Sequence, residues 1–164
     1  MIWAIVTGWM LAAFLLFLAA GVSDAIDGYL AKRFGMSSEL GAYLDPLADK
    51  ALIVSIYVTL GISGDLPRWL VILVVSRDVM IVGAVLLSWL VGKPLLMKPL
   101  QVSKLNTVAQ IVLAGLVLAS LGLHLKAQWL IDAMLVVVAA LTLASVAAYV
   151  REWVRHMGSD EAIS

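Results

Sequence analysis

The stretch Ser23–Lys50, SDAIDGYLAKRFGMSSELGAYLDPLADK, carries Asp24, Asp27, Asp45 and Asp49, four of the chain's 11 acidic residues, and long apolar runs flank it on both sides. A charge at the centre of a membrane helix costs roughly 2.5–3.5 kcal/mol on insertion scales, so four carboxylates there cost on the order of 10 kcal/mol unless neutralised. Lys32 and Lys50 are the close cations at comparable depth, too few to offset four acids. A divalent metal is the simplest remedy, because hard cations prefer oxygen ligands. The stretch therefore reads as a metal site inside a membrane protein.

Spacing supports this. Asp24, Asp27, Gly28 and Ala31 fall on one face of a helix, and Gly41, Asp45 and Asp49 step by one turn along the next. If the first helix leaves the membrane near Phe34 and the second enters near Glu39, Asp24 and Asp49 both lie about 15 Å deep, and Asp27 and Asp45 about 9–11 Å. Two antiparallel neighbours would thus bring four carboxylates to matching depths.

Composition agrees with a membrane setting. The 164 residues are 63% hydrophobic and 13% charged, with a mean hydropathy of +1.06, outside the range of soluble domains. Apolar runs of helix length, without ten-residue alternation, indicate an all-α integral membrane protein rather than a barrel. The formal net charge of +0 gives no global attraction to nucleic acid, and the absence of cysteine excludes disulfides and thiolate metal sites. No basic segment precedes the first apolar run, so no cleavable signal is expected.

Five spans are expected. Met1–Val22 is uncharged and interrupted at Gly8; a span could begin near Ile2, but a start at the interfacial Trp9, running to Phe34, better matches the depth of Asp24. After a turn capped by Ser37 or Ser38, a second helix covers Glu39–Leu60, with Pro46 expected to bend it beside the site. Arg68–Val91, Ser103–Leu121 and Gln128–Val150 follow, separated by glycine- and proline-containing loops. Residues 1–150 form the membrane domain and 151–164 a polar cytoplasmic tail. Lys32, Arg33, Lys93, Lys98, Lys104, Arg151 and Arg155 share one side and only Arg68 and Lys126 the other, so the carboxylate end faces the cytoplasm.

The pattern D-x2-D-G-x2-A-K-x8-G-x3-D-x3-D over Asp24–Asp49 resembles the signature of the CDP-alcohol phosphatidyltransferase family. The family's usual arginine after the alanine is replaced by Lys32, followed by Arg33; lysine offers a point charge to phosphate but no bidentate fork. LDPLADKALIVSIYVTL, VSRDVMI at 75–81 and MKPLQVSKLNTVAQIVLA at 97–114 look most like the cardiolipin synthase branch, with phosphatidylglycerophosphate synthase next. The resemblance implies a six-helix bundle, of which this chain would hold five, the first falling before residue 1.

It also implies transfer of a phosphatidyl group from CDP-diacylglycerol to an anionic glycerol-containing acceptor, phosphatidylglycerol or glycerol 3-phosphate, with Mg2+ or Mn2+. By resemblance, Asp24, Asp27, Asp45 and Asp49 ligate metal, Asp49 is also the general base, and Gly28, Ala31, Lys32 and Gly41 surround the donor. Arg77 and Lys104 are candidates for the acceptor's phosphate. A homodimer is implied on the same ground, and a bacterial inner membrane is the expected location.

Plainer readings stand beside these. Intramembrane acids also mark ion pathways in proteins without catalysis. Lys50 pairs with Asp49 or another acid of the cluster. Arg77 faces the cavity, and Asp78, about 100° round the helix from it, is either a counter-ion or free. Lys104 is otherwise an interfacial cation, and Gly28, Ala31 and Gly41 serve helix packing. Trp9, Trp69, Trp89, Trp129 and Trp153 read as an interfacial belt. His124 is a far-side loop residue, and Asp132 reaches the interface on that same side.

Overall fold

The structure is a computed structural model; it describes residues 1–34, 39–90 and 101–160, with side chains described for 1–24, 26, 27, 50–83 and 101–151. Every element among these residues is helical: α1 (Ile2–Val6), α2 (Met10–Phe34), α3 (Glu39–Ser63), α4 (Arg68–Leu90), α5 (Gln101–Gly122) and α6 (Gln128–Asp160). The expected loop at 92–102 lies largely outside the described residues.

The first apolar run breaks where the glycine allows it. Thr7 ends α1, its hydroxyl donating to the Trp3 carbonyl at 2.8 Å, and Gly8 turns the chain with φ +78°, a left-handed conformation that glycine adopts without steric penalty. The long helix accordingly starts at Met10, which favours the start near Trp9 over one near Ile2. Gly64 does the same for α3 at φ +87°, and the Asp65 and Leu66 amides both donate back to the Leu60 carbonyl, closing the helix end. α3 runs on through Pro46. α6 continues to Asp160, so residues 151–160 of the expected tail are helical; its 33 residues span about 50 Å, longer than a hydrocarbon core.

Close approaches fix the packing directions. An added Cβ on Gly122 would sit 2.9 Å from the Leu11 backbone, and one on Gly115 would sit 3.0 Å from the Phe17 ring, so α2 runs antiparallel to α5. Gly61 meets Val71 and Lys50 approaches Asp78, making α3 antiparallel to α4. The Tyr57 hydroxyl donates to the Gln110 carbonyl at 3.0 Å, and Lys50 and Ser103, both seven residues earlier, meet the same Arg77–Asp78 pair; α3 and α5 are therefore parallel. It follows that α2 is antiparallel to α3, and the aspartates of both helices lie toward one end of the bundle.

The bundle has the polarity of a membrane protein. Leu11, Leu15, Leu16, Leu18 and Val22 of α2, Leu105, Val108, Ile111 and Val112 of α5, and Val136, Val137, Leu143 and Val150 of α6 are exposed. Arg77, Asp78, Asn106, Gln110, Thr142 and Ser145 are buried. An outer surface this apolar suits lipid, where the interior need not be more hydrophobic than the surface. Among the described residues two helices are long and apolar enough to cross a membrane, α5 and the Gln128–Arg151 part of α6. The described apolar stretches of α2 and α3, Met10–Asp24 and Lys50–Ser63, are shorter than a span. Trp9, Trp69 and Trp129 stand exposed beside the starts of α2, α4 and α6, all at the end opposite the aspartates, as an interfacial belt requires.

Candidate active site

Toward the aspartate end, α3, α4, α5 and α6 converge on one buried cation. Arg77 is 1% exposed. Its Nη1 donates to Asp78 Oδ1 at 2.5 Å, its Nη2 to Ser103 Oγ at 2.6 Å and to Ser145 Oγ at 2.9 Å, and its Nε to Ser145 Oγ at 3.2 Å. Lys50 Nζ lies 4.0 Å from the same Asp78 oxygen. A guanidinium presents five N–H groups in a rigid fork, which explains how one side chain reaches residues of three helices.

The geometry decides between the two readings of Asp78. Asp78 is the counter-ion of Arg77: the long arginine side chain folds back across the angle that separates adjacent helical residues. Among the described side chains Lys50 has Asp78 of α4 as its partner; Asp49, with which pairing is expected, lies outside those described. Helical spacing shows the angle at which a side chain leaves its helix, not how far it bends.

Below this cluster a second polar layer continues along α5 and α6. Thr142 Oγ1 donates to Asn106 Oδ1 at 3.0 Å and to the Val138 carbonyl at 2.7 Å. Ser103, Asn106 and Gln110 fall at +3 and +7 on α5, and Thr142 and Ser145 three apart on α6. This periodic polar face within apolar helices is the sequence signal that could have disclosed Ser103, Asn106, Gln110, Thr142 and Ser145.

Asp24 and Asp27 are exposed on α2, one helical turn apart, with their carboxylates open to ligation. The side chains of Gly28, Ala31, Lys32, Gly41, Asp45 and Asp49 lie outside those described; the backbones of these positions belong to α2 and α3. Among the described residues no three of His, Cys, Asp and Glu converge on a common point. A set of carboxylates with no cysteine matches a hard divalent ion in chemical type. Lys104 is exposed near the start of α5, one residue beyond Ser103. His124, at φ 53°, is an exposed loop residue beside an open cleft of about 840 Å³ at the opposite end, and Asp132 accepts from Gln128 Nε2 at 3.0 Å. Neither approaches the aspartate end.

A helical bundle with an apolar surface and a buried polar cluster has the character of a membrane protein. Residues 1–153 match the family model described as CDP-alcohol phosphatidyltransferase, and the chain belongs to that membrane-integral family. It is 34% identical to the "Cardiolipin synthase (CMP-forming) / mitochondrial hydrolase fusion protein" of Schizosaccharomyces pombe, over 92% of this chain and 28% of that protein. It is 37% identical to the chloroplastic CDP-diacylglycerol–glycerol-3-phosphate 3-phosphatidyltransferase 1 of Oryza sativa subsp. japonica, over 90% of this chain and 50% of that one. It is also 37% identical to the probable phosphatidylglycerophosphate synthase of Mycobacterium tuberculosis (strain ATCC 25618 / H37Rv), over 70% of this chain and 54% of that protein. The chain thus spans about half or less of the length of these relatives.

Proposed function

We propose that the protein transfers a phosphatidyl group from CDP-diacylglycerol to phosphatidylglycerol, giving cardiolipin and CMP, at the cytoplasmic face of a membrane crossed by five of its helices. The observation that carries this reading is the derived packing direction: α2 and α3 run antiparallel, so Asp24, Asp27, Asp45 and Asp49 lie toward the same end as Lys50, Arg77, Ser103 and Lys104. Acids for a metal and cations for phosphates are both needed where a pyrophosphate donor meets an anionic acceptor.

Mg2+ or Mn2+ held by the four aspartates would neutralise the donor pyrophosphate and the charge left on CMP. The remaining tasks fall to the chain. Asp49 takes the proton of the acceptor hydroxyl as its oxygen bonds to the phosphatidyl phosphorus and the phosphorus–oxygen bond to CMP breaks. A carboxylate is a weak base toward an alcohol, so positioning supplies much of the rate. Gly28, Ala31 and Gly41 leave room for the nucleotide against the helix backbones, and Lys32 offers a charge to the donor phosphates. Lys104, exposed at the helix start, meets the acceptor phosphate; Arg77, with its N–H groups directed to Asp78, Ser103 and Ser145, contributes its field from behind.

A second reading has its own support. Two relatives at 37% identity carry names of phosphatidylglycerophosphate synthases, whose acceptor would be glycerol 3-phosphate. The relatives come from bacterial, mitochondrial and chloroplast settings, so their names favour no one membrane; a bacterial inner membrane and a homodimer belong to this proposal on the resemblance alone. The test is an acceptor screen on purified protein in liposomes with labelled CDP-diacylglycerol and Mg2+ or Mn2+. Cardiolipin formed from phosphatidylglycerol supports the first reading. Phosphatidylglycerophosphate formed from glycerol 3-phosphate replaces it with the second, and CMP release with neither acceptor contradicts both.

A further inference from the structure

Asp78 stands where two cations meet. Its Oδ1 accepts from Arg77 and lies 4.0 Å from Lys50 Nζ. Asp78 is 5% exposed and Arg77 1% exposed, whereas the Lys50 side chain is 27% exposed. Among the described residues this cluster sets one carboxylate against two positive charges. Arg77 is immobilised by Ser103 of α5 and Ser145 of α6 as well. Lys50 has only the long contact to Asp78 among the described side chains, on a flexible four-carbon stem.

Lys50 directly follows Asp49 in α3, so the two Cα positions differ by about 1.5 Å along the helix axis and about 100° around it. An ammonium at that height can turn toward α4 or toward the carboxylate stripe. In the second position it would compete with a divalent ion for the same oxygens, since both are cations seeking carboxylate ligands.

We propose that Asp78 is a positioning residue for the metal-binding aspartates: by holding the Lys50 ammonium against α4, it keeps a competing cation out of the carboxylate cluster. The inference rests on the metal-site reading given above. Asp78 touches neither metal nor substrate and acts through Lys50. Arg77, braced by Ser103 and Ser145, keeps Asp78 in place.

The test is direct Mn2+ binding to the purified full chain in detergent, followed by the electron paramagnetic resonance signal of free Mn2+ without substrate. Asp78→Asn is expected to weaken binding about tenfold, the scale of coupling between neighbouring charged groups. Adding Lys50→Met to Asp78→Asn is expected to return binding to within about twofold of the natural chain, because the competitor is gone. A merely structural role for Asp78 would not be rescued by removing Lys50. Unchanged binding in Asp78→Asn, or a double variant as weak as Asp78→Asn, overturns the inference.

Lys50→Met alone keeps the test open should Asp78→Asn fail to fold. It is expected to bind Mn2+ as the natural chain does, whereas tightening by about tenfold or more would show that Lys50 already occupies the cluster and would overturn the inference. A natural chain that binds no Mn2+ sinks the metal reading and this inference with it; a natural chain that binds, with Asp78→Asn unchanged, sinks the inference alone.

Discussion

Arg77 Nη2 donates to Ser103 Oγ at 2.6 Å, joining α4 to α5, while the same nitrogen reaches Ser145 of α6 at 2.9 Å. A buried cation whose fork is shared among three helices holds the bundle together at its functional end. Removing one partner of a buried ion pair costs about 3–5 kcal/mol, because the other charge is left uncompensated. Arg77→Met is therefore expected to destabilise the protein by about that much. Arg77→Lys keeps the charge but not the fork and should lose less. Ser145→Ala, which removes one hydroxyl acceptor, should cost about 1–3 kcal/mol. Thermal unfolding in detergent checks the order; Ser145→Ala as damaging as Arg77→Met would contradict it.

The contact between Gly122 and Leu11 gives a second prediction. A Cβ at Gly122 would meet Leu11 backbone atoms at 2.9 Å, whereas a Cβ at Gly115 would meet the edge of the Phe17 ring at 3.0 Å. Backbone cannot move without shifting a helix; a ring can turn. Gly122→Ala is expected to cost about 1–3 kcal/mol, as overpacking does, and Gly115→Ala less. Equal unfolding temperatures for the two variants would contradict the close approach of α2 and α5.

Asp65, in the loop after α3, has its carboxyl pushed above the ordinary value by burial. The folded state then binds this proton more tightly than the unfolded chain does. Its contribution to stability is present below the ordinary carboxylate range and is lost as pH rises through the raised value. Asp65→Asn removes the charged form and should raise the unfolding temperature slightly at pH 7, with the gain vanishing near about pH 4. The group is only partly buried, so the effect is small. A gain that grows as pH falls would reverse the sign and contradict the burial argument.

Much of this architecture is legible in the chain. Glu39, Arg68 and Gln128 open helices where charge, glycine and proline punctuation place them, and Gly8 divides the first apolar run. The spacing of Asp24 with Asp27 and of Asp45 with Asp49 is legible because helical periodicity is local. The Arg77 network is not, since periodicity gives a residue's face but not its partner: Thr142 and Ser145 within VVVAALTLASVAAYV mark a polar face, but nothing local identifies Arg77 as the group that Ser145 meets. The approach of Lys50 to Asp78 depends on how α3 and α4 are turned toward each other, which only tertiary packing decides.

The most direct measurement is CMP release from CDP-diacylglycerol by the natural chain and by Asp49→Asn, each in EDTA and after addition of Mg2+ or Mn2+, with phosphatidylglycerol and glycerol 3-phosphate supplied. The natural chain is expected to be inactive in EDTA and restored by metal. Asp49→Asn should remain folded yet inactive under both conditions. CMP release by the natural chain in EDTA, or full activity of Asp49→Asn, would contradict a carboxylate-held metal and a carboxylate base at the shared end of α2 and α3.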